Sequence, residues 1–172
     1  MHNPEVAAAL PCVLDIEASG FGRASYPIEV GWVLPDGRAR CTLVLPAAHW
    51  THWDADAERV HGIERATLLA HGRAVHEVAA WLNEELGGLT VYCDGWAHDY
   101  PWLATLFEEA GASPRFRLES ASALLPEPRL AQLDAARRHA LAELGLTRPR
   151  ASNDARALQR ALARVRAAAG AS

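Results

Sequence analysis

The stretch that decides the fold is Cys12–Gly22, CVLDIEASGFG. Its first residues are apolar and indicate a buried β-strand, and two carboxylates, Asp15 and Glu17, follow two residues apart. Side chains at positions i and i+2 of a strand point to the same face of a sheet. Two adjacent carboxylates raise each other's pKa unless a cation lies between them, and such oxygen ligands favour Mg²⁺ or Mn²⁺. The alternative is that one carboxylate simply hydrogen-bonds the following SGFG turn.

Length, charge and cysteine content limit the classes of protein to which the chain can belong. Its 172 residues predict a single domain spanning 1–172. The net charge of −4 argues against a protein that coats nucleic acid, no apolar run is long enough to cross a bilayer, and no basic segment precedes the first apolar patch as in a signal peptide. Three unclustered cysteines, Cys12, Cys41 and Cys93, are predicted to be reduced core thiols. These features favour a cytoplasmic globular protein without membrane contact.

The order of the predicted elements favours a mixed α/β sheet. Three strands come first, the last two joined by the turn signal PDG, and later strands alternate with helices. This order is typical of an antiparallel start followed by parallel units. The strands are predicted at Cys12–Ile16, Ile28–Leu34, Arg38–Leu45, Leu89–Cys93 and Phe116–Leu118, and the longer helices at Ala74–Leu86, Tyr100–Ala110, Leu130–Leu144 and Ser152–Ala169.

Three further acids lie at the ends of predicted elements. Asp94 follows the fourth strand, where an aspartate before glycine is an ordinary turn residue. Asp99 precedes a helix and is a candidate for its N-cap. Asp154 lies in the first turn of the last helix, where the helix dipole favours any carboxylate. Each acid has an ordinary structural explanation when it is taken alone.

Taken together, these acids and their surroundings resemble the motifs of the DEDD 3′–5′ exonucleases, a branch of the ribonuclease H-like superfamily that includes proofreading exonucleases, RNase T and oligoribonuclease. LDIEASGF with PIEVGWVLPDG is similar to the first motif, DGWAHDYPWLATLF to the second, and LDAARRHALAELGLTRPRASNDARAL to the third. AERVHGIERATLLAHG is similar to a further helical segment of the family. The resemblance covers nearly the whole chain and implies a ribonuclease H-like fold, a mixed five-stranded sheet with flanking helices.

The resemblance also implies an activity and a set of site residues. It implies a hydrolase that cleaves phosphodiester bonds at the 3′ ends of single-stranded RNA or DNA, or of short oligonucleotides, with two Mg²⁺ or Mn²⁺ ions. The family's metal-binding acids correspond to Asp15, Glu17, Asp99 and Asp154, with Asp15 bridging both ions. Asp94 is a candidate for supporting this set from outside it. Many members of the family are dimers, so a homodimer is a further expectation.

The third motif departs from the family pattern at the residue that accepts a proton from the attacking water. Histidine-type members carry this base five residues before the last acid, where the chain has Pro149, and the tyrosine-type position holds Arg150. A general base typically contributes about 10²- to 10⁴-fold. Three alternatives follow: a slow enzyme that relies on its metal, a substitute base such as His98, or a relative that binds nucleic-acid ends without cutting them.

Five residues are predicted to contact the substrate. Ser19 and Gly20 allow close approach of a terminal nucleotide, and Phe21 is placed to stack on a base, although it has an equal chance of packing the loop. Arg148 and Arg150 flank Asp154 and are the predicted phosphate contacts. From residue 137 onward the chain has eight arginines and two acids, which also fits a solvated helix face.

Overall fold

A computed structural model describes residues 9–170 and confirms the predicted mixed sheet with flanking helices. The strands are β1 (Cys12–Ala18), β2 (Pro27–Val33), β3 (Ala39–Leu43), β4 (Thr90–Cys93) and β5 (Arg117–Ser120). The helices are α1 (Ala55–His61), α2 (Arg65–His71), α3 (Val75–Leu86), α4 (Trp96–Glu109), α5 (Glu127–Glu143) and α6 (Ala151–Gly170), with a short 3₁₀ turn at Ala121–Leu124. The sheet order is β3-β2-β1-β4-β5; β1, β2 and β3 are antiparallel, whereas β4 is parallel to β1 and to β5.

Strand β1 is central and has a helical layer on each face. Leu14 and Ile16 belong to the core cluster that includes α3 and α4, whereas Val13 belongs to the cluster that includes α5 and α6. Because side chains alternate along a strand, Asp15 and Glu17 share the face of Val13 and point toward the layer that contains α6. A register shift between Glu17 and Ala18 interrupts the pairing with β2 at this point. The carboxyl end of β1 is therefore both acidic and irregular, as bulged strands beside functional sites often are.

Helix α6 lies against β2 at unusually short range. A Cβ atom built on Gly31 would come within 2.3 Å of the backbone carbon of Ala151 and the backbone nitrogen of Ser152. Beside this contact, the buried carboxylate of Glu29 accepts hydrogen bonds from the backbone N–H of Ala151 at 2.9 Å and from Arg150 Nε at 3.0 Å. The glycine and the ion pair together fix the start of α6, and with it the position of Asp154, over the sheet.

We expect Gly31→Ala to destabilise the protein by about 1–3 kcal/mol, because the added methyl group collides with backbone that cannot move aside as a flexible side chain would. Urea denaturation monitored by tryptophan fluorescence measures this change. Cys41→Ala on the neighbouring strand, opposite Gly31 and exposed, is the matched control and should leave the free energy of unfolding within about 0.5 kcal/mol. A Gly31→Ala protein as stable as the wild type would mean that α6 does not depend on this close approach.

Several predicted details differ in the structure. Helix α4 begins at Trp96, so Asp99 lies inside its first turn and is not an N-cap. Helix α6 begins at Ala151, one residue before the predicted start, and its first backbone N–H donates to Glu29 of β2. All three cysteines are free, but Cys41 is exposed and not a core thiol. Residues 1–8, which carry most of the stretch judged not to be a signal peptide, lie outside the described residues. No helix within 9–170 is long and apolar enough to span a membrane.

Candidate metal centre

Three carboxylates from distant parts of the chain meet beside β1. One oxygen from each of Asp15, Glu17 and Asp154 lies within 4.8 Å of the others. The two acids of β1 share a face, and Asp154 faces them because the start of α6 is held against β2. The backbone N–H of Arg150 donates to Asp154 Oδ2 at 3.1 Å, which orients that carboxylate. The geometry therefore brings together three of the four acids that the sequence predicts.

Asp99, the fourth predicted acid, lies next to this group but not within it. It is 3% exposed, and its Oδ2 atom has no hydrogen-bond partner among the described residues. Its negative charge contributes to raising the pKa of Asp15, after burial, so the two carboxyls are near enough to interact strongly. A buried carboxylate oxygen without a donor is costly unless a proton or a cation satisfies it.

The electrostatics of the acids favour a bound cation. Burial, followed by the charges of Asp99, Glu17 and Asp154, raises the pKa of Asp15 well above its usual range. Burial is also the first cause that raises the pKa of Glu17 to about 7 and the pKa of Asp99 to about 7. Clustered carboxylates with an unpaired buried oxygen fit an oxygen-preferring divalent ion. Asp15, Glu17 and Asp154 would hold it, with Asp99 beside them.

These raised pKa values predict how stability depends on pH in the absence of metal. A carboxyl whose folded-state pKa lies above its unfolded value stabilises the fold at low pH, and this contribution is lost as pH rises through the folded pKa. For Glu17 and Asp99 the window runs from about pH 4, the unfolded value, to about 7. We therefore expect the melting temperature in EDTA to fall between about pH 5 and pH 8, and Mn²⁺ to restore it at pH 8.

Differential scanning fluorimetry tests this pH dependence. Asp99→Asn removes one of the titrating groups and should flatten the melting profile relative to the wild type. The exposed acid Asp134, replaced by Asn, should leave the profile unchanged. A melting temperature that rises steadily with pH in EDTA would contradict the expectation.

An open groove of about 550 Å³ runs along the acids. Its lining includes the four predicted metal-binding acids and also Asp94, His98, Arg137 and Pro149. Arg137 of α5 binds Asp94 through Nη1, and its Nη2 atom lies 3.6 Å from Asp154 Oδ1. Burial raises the pKa of Asp154, and the positive charge of Arg137 opposes that rise. Pro149 is exposed and lines the same groove.

An aromatic cluster separates this groove from a second cavity. Phe21 is 66% exposed and makes an edge contact with the ring of His98 at 5.3 Å, and His98 stacks on Trp102 at 5.7 Å. Glu17, Phe21 and Trp102 line both the groove and an adjoining cavity of about 360 Å³. In that cavity, His61 Nδ1 accepts from the N–H of Ile63 at 3.0 Å, so Nε2 carries the proton of the neutral ring, the form that burial favours by lowering the pKa of His61.

The other predicted substrate contacts have structural partners. Ser19 is buried and its hydroxyl accepts from the N–H of Tyr26 at 3.2 Å. The space beside Gly20 is filled by His52 and Asp54, so the chain itself requires this glycine, which lines the second cavity. Arg150 is held by Glu29, and Arg148 is exposed outside the groove lining. Phosphate contacts by Arg148 and Arg150 remain predictions.

Sequence reasoning missed two residues that shape the site. Glu29 lies in the middle of the apolar strand PIEVGWV, and a lone acid in such a run signals a buried ion pair. Its partner, Arg150, could not be identified without the fold. Arg137 belongs to a helix with arginines on several sides, so nothing in its sequence context distinguishes it from Arg138.

Comparisons with known proteins give structural neighbours only. No protein-family model matches the chain, and no curated protein matches it. The product-bound structure of exonuclease I is similar with a TM-score of 0.67 at 15% identity, covering 91% of this chain and 43% of that one. Exonuclease I from Methylocaldum szegediense is similar with a TM-score of 0.67 at 15% identity, covering 92% of this chain and 41% of that one. E. coli exonuclease I in complex with a dT13 oligonucleotide is similar with a TM-score of 0.58 at 15% identity, covering 93% of this chain and 40% of that one.

These similarities establish the fold. The mixed five-stranded sheet with its flanking helices is the ribonuclease H-like fold of the exonuclease I neighbours. The chain spans about two fifths of the length of those proteins. The family resemblance found in the sequence is thus supported at the level of architecture, and activity and substrate have to be argued from the site.

Proposed function

We propose that this protein is a metal-dependent 3′–5′ exonuclease that hydrolyses phosphodiester bonds at the ends of single-stranded RNA or DNA or of short oligonucleotides. The observation that carries the proposal is the convergence of Asp15, Glu17 and Asp154 within 4.8 Å, with Asp99 buried beside them. A structural role does not explain this set, because four acids gathered without a cation destabilise the fold. The exonuclease I fold of the neighbours supports the same activity.

In the proposed mechanism the chain supplies the cage and the substrate cradle. Asp15, Glu17, Asp99 and Asp154 would hold two Mg²⁺ or Mn²⁺ ions. Bound ions of this kind activate a water and stabilise charge on the attacking and leaving oxygens. The ion pair of Glu29 and Arg150 keeps Asp154 in register with β1.

The surroundings of the acids fit a terminal nucleotide. The adjoining cavity of about 360 Å³ lies within the range of small-molecule sites. Its lining is mostly apolar and also includes the carboxylates of Glu17, Asp54 and Asp56 and the imidazole of His61. Phe21 is exposed at the boundary with the groove, where it can stack on a base. A site of this form accepts an unpaired end, and the oligonucleotide complex of an exonuclease I neighbour supports single-stranded DNA as one substrate.

A second function is favoured by a specific observation: Pro149 lines the groove where the family's base would be. A protein with the metal cage and no base would bind nucleic-acid ends and cut them slowly or not at all. His98 also lines the groove and is the nearest candidate for a substitute base. Its exposed ring contacts Phe21 and Trp102, which also contact each other, and membership of this aromatic cluster favours a role in stacking over proton transfer.

The decisive test is hydrolysis of a 5′-labelled single-stranded RNA and of its DNA counterpart with Mn²⁺ or Mg²⁺. A ladder that shortens from the 3′ end and disappears with EDTA would support the exonuclease. Metal-dependent binding of the intact oligonucleotide without any ladder would support the end-binding alternative. Absence of both binding and cleavage would overturn both functions. Elution volume in size-exclusion chromatography tests the expected homodimer in the same preparation.

A further inference from the structure

The groove along the acids has one cation whose role the exonuclease assignment does not explain. Arg137 is the only arginine among the described residues that line it, and the sequence contains no lysine. The guanidinium reaches in from α5, a helix that contributes no acid to the candidate cage. About one third of its side chain is exposed, so the group remains accessible from the groove.

A polyanionic substrate needs such a cation at this position. The groove walls carry Asp15, Glu17, Asp94, Asp99 and Asp154, and bound metal offsets only part of their charge. The arginines that sequence position suggested for phosphate are not among the lining residues, and the guanidinium of Arg150 is paired with a buried carboxylate. Arg137 is therefore the arginine best placed to bind a phosphate oxygen with charge-assisted hydrogen bonds.

Asp94 gives Arg137 a defined position. The carboxylate binds Nη1, while Nη2 is directed toward Asp154 at 3.6 Å, a distance too long for a strong hydrogen bond. A metal ion held by Asp154 would draw that carboxylate away from the arginine electrostatically and leave Nη2 free for another anion. The contact with Asp94 persists in that case, because Asp94 is not one of the three clustered acids.

We propose that Arg137, positioned by Asp94, is the phosphate-contacting residue of the groove and binds the backbone of the single-stranded substrate beside the metal centre. This inference rests on the proposed function for the identity of the substrate, but it concerns binding and does not require that the chain be cut. It assigns Asp94 a positioning role and explains why an acid outside the cage lies at the end of β4.

The experiment compares Arg137→Met with Arg138→Met. Both residues lie on α5 and lose the same charge, but Arg138 is exposed and does not line the groove. Fluorescence anisotropy measures the dissociation constant for a short 5′-fluorescein oligo(dT) in Ca²⁺, at several salt concentrations between about 50 and 200 mM, and a gel verifies that the probe stays intact. Thermal melts confirm that both variants are folded.

We expect Arg137→Met to weaken binding roughly 10-fold, near the lower end of what one hydrogen bond to a charged group contributes. The slope of log K against log salt should fall in magnitude by about 0.7, as for one lost phosphate contact on a single strand. A structural role would not change this slope. Arg137→Lys should retain the slope, because lysine keeps the positive charge. It should lose part of the affinity, because lysine lacks the planar guanidinium that can donate two parallel hydrogen bonds.

Three outcomes would overturn the proposal. In the first, Arg137→Met and Arg138→Met bind the probe equally well with equal slopes, which leaves the exonuclease assignment intact. In the second, Arg137→Met speeds turnover or tightens Mn²⁺ binding, which would make Arg137 a cation that competes for the metal centre. In the third, the wild type does not bind single strands at all, which would also count against the proposed function.

Discussion

Asp15→Asn is expected to abolish metal-dependent cleavage, with a loss of at least about 10³-fold. Metal ions in such sites contribute several kcal/mol of transition-state stabilisation, and each 1.4 kcal/mol corresponds to a factor of ten in rate. Asp15 lies within electrostatic reach of the other three acids, because burial and then the charges of Asp99, Glu17 and Asp154 raise its pKa. An asparagine keeps the shape of the side chain and removes the charge that holds a cation.

The same substitution is expected to stabilise the metal-free protein near pH 8. Asparagine removes a carboxyl whose ionisation is opposed by burial and by the charges of the neighbouring acids. A variant with no activity and a higher melting temperature in EDTA would therefore separate function from folding, as is common where a site is built against stability. Asp134→Asn, an exposed change on α5, should alter neither quantity. Retained cleavage by Asp15→Asn would place the metal centre elsewhere.

The sequence predicted the sheet well because its strands carry strong local signals. Three local signals predicted five strands in a sheet with both antiparallel and parallel pairs. They are the apolar run before Asp15, the PDG turn, and the alternation of later strands with periodic helices. Helix starts were predicted less well for α4 and α5, which begin at Trp96 and Glu127 and not at Tyr100 and Leu130. The start of α6 was predicted to within one residue, but the group that satisfies its first N–H, Glu29, lies 122 positions away in sequence. No local pattern of capping residues encodes such a contact.

The candidate site was predictable only in part, because it also depends on contacts between distant segments of the chain. The pairing of Asp15 with Glu17 follows from strand geometry alone, but their meeting with Asp154 depends on how closely α6 approaches β2 at Gly31. The resemblance to known motifs supplied that association before the fold was available. The role of Arg137 could not be obtained in this way, because its contact with Asp94 joins two segments that no motif connects.

Pro149→His is expected to speed cleavage by about 10²-fold, the lower end of what a general base contributes. Pro149 lines the groove beside Asp154 and is exposed, so an imidazole at this position would face the same space as the scissile bond. The expected gain is at the lower end because the neighbouring loop has not been shaped to orient a histidine. Single-turnover rates with the oligonucleotide in the presence of Mn²⁺ measure the change.

Pro149→Asn is the control that distinguishes the effect of adding a base from the effect of removing the proline ring. It removes the fixed backbone angle of proline and supplies a polar side chain that cannot accept the proton. If Pro149→Asn were as fast as Pro149→His, the wild-type rate would be limited by the rigidity of the loop before α6. If only the histidine variant gains, its rate should fall below about pH 6.5 as the imidazole becomes protonated. Because burial raises the pKa of Glu17 and the pKa of Asp99 to about 7 without metal, the wild type is the reference for this acid limb. A loss of rate below about pH 6.5 that exceeds the loss in the wild type would show that the chain has kept the metal cage of an exonuclease while lacking the residue that takes the proton from water.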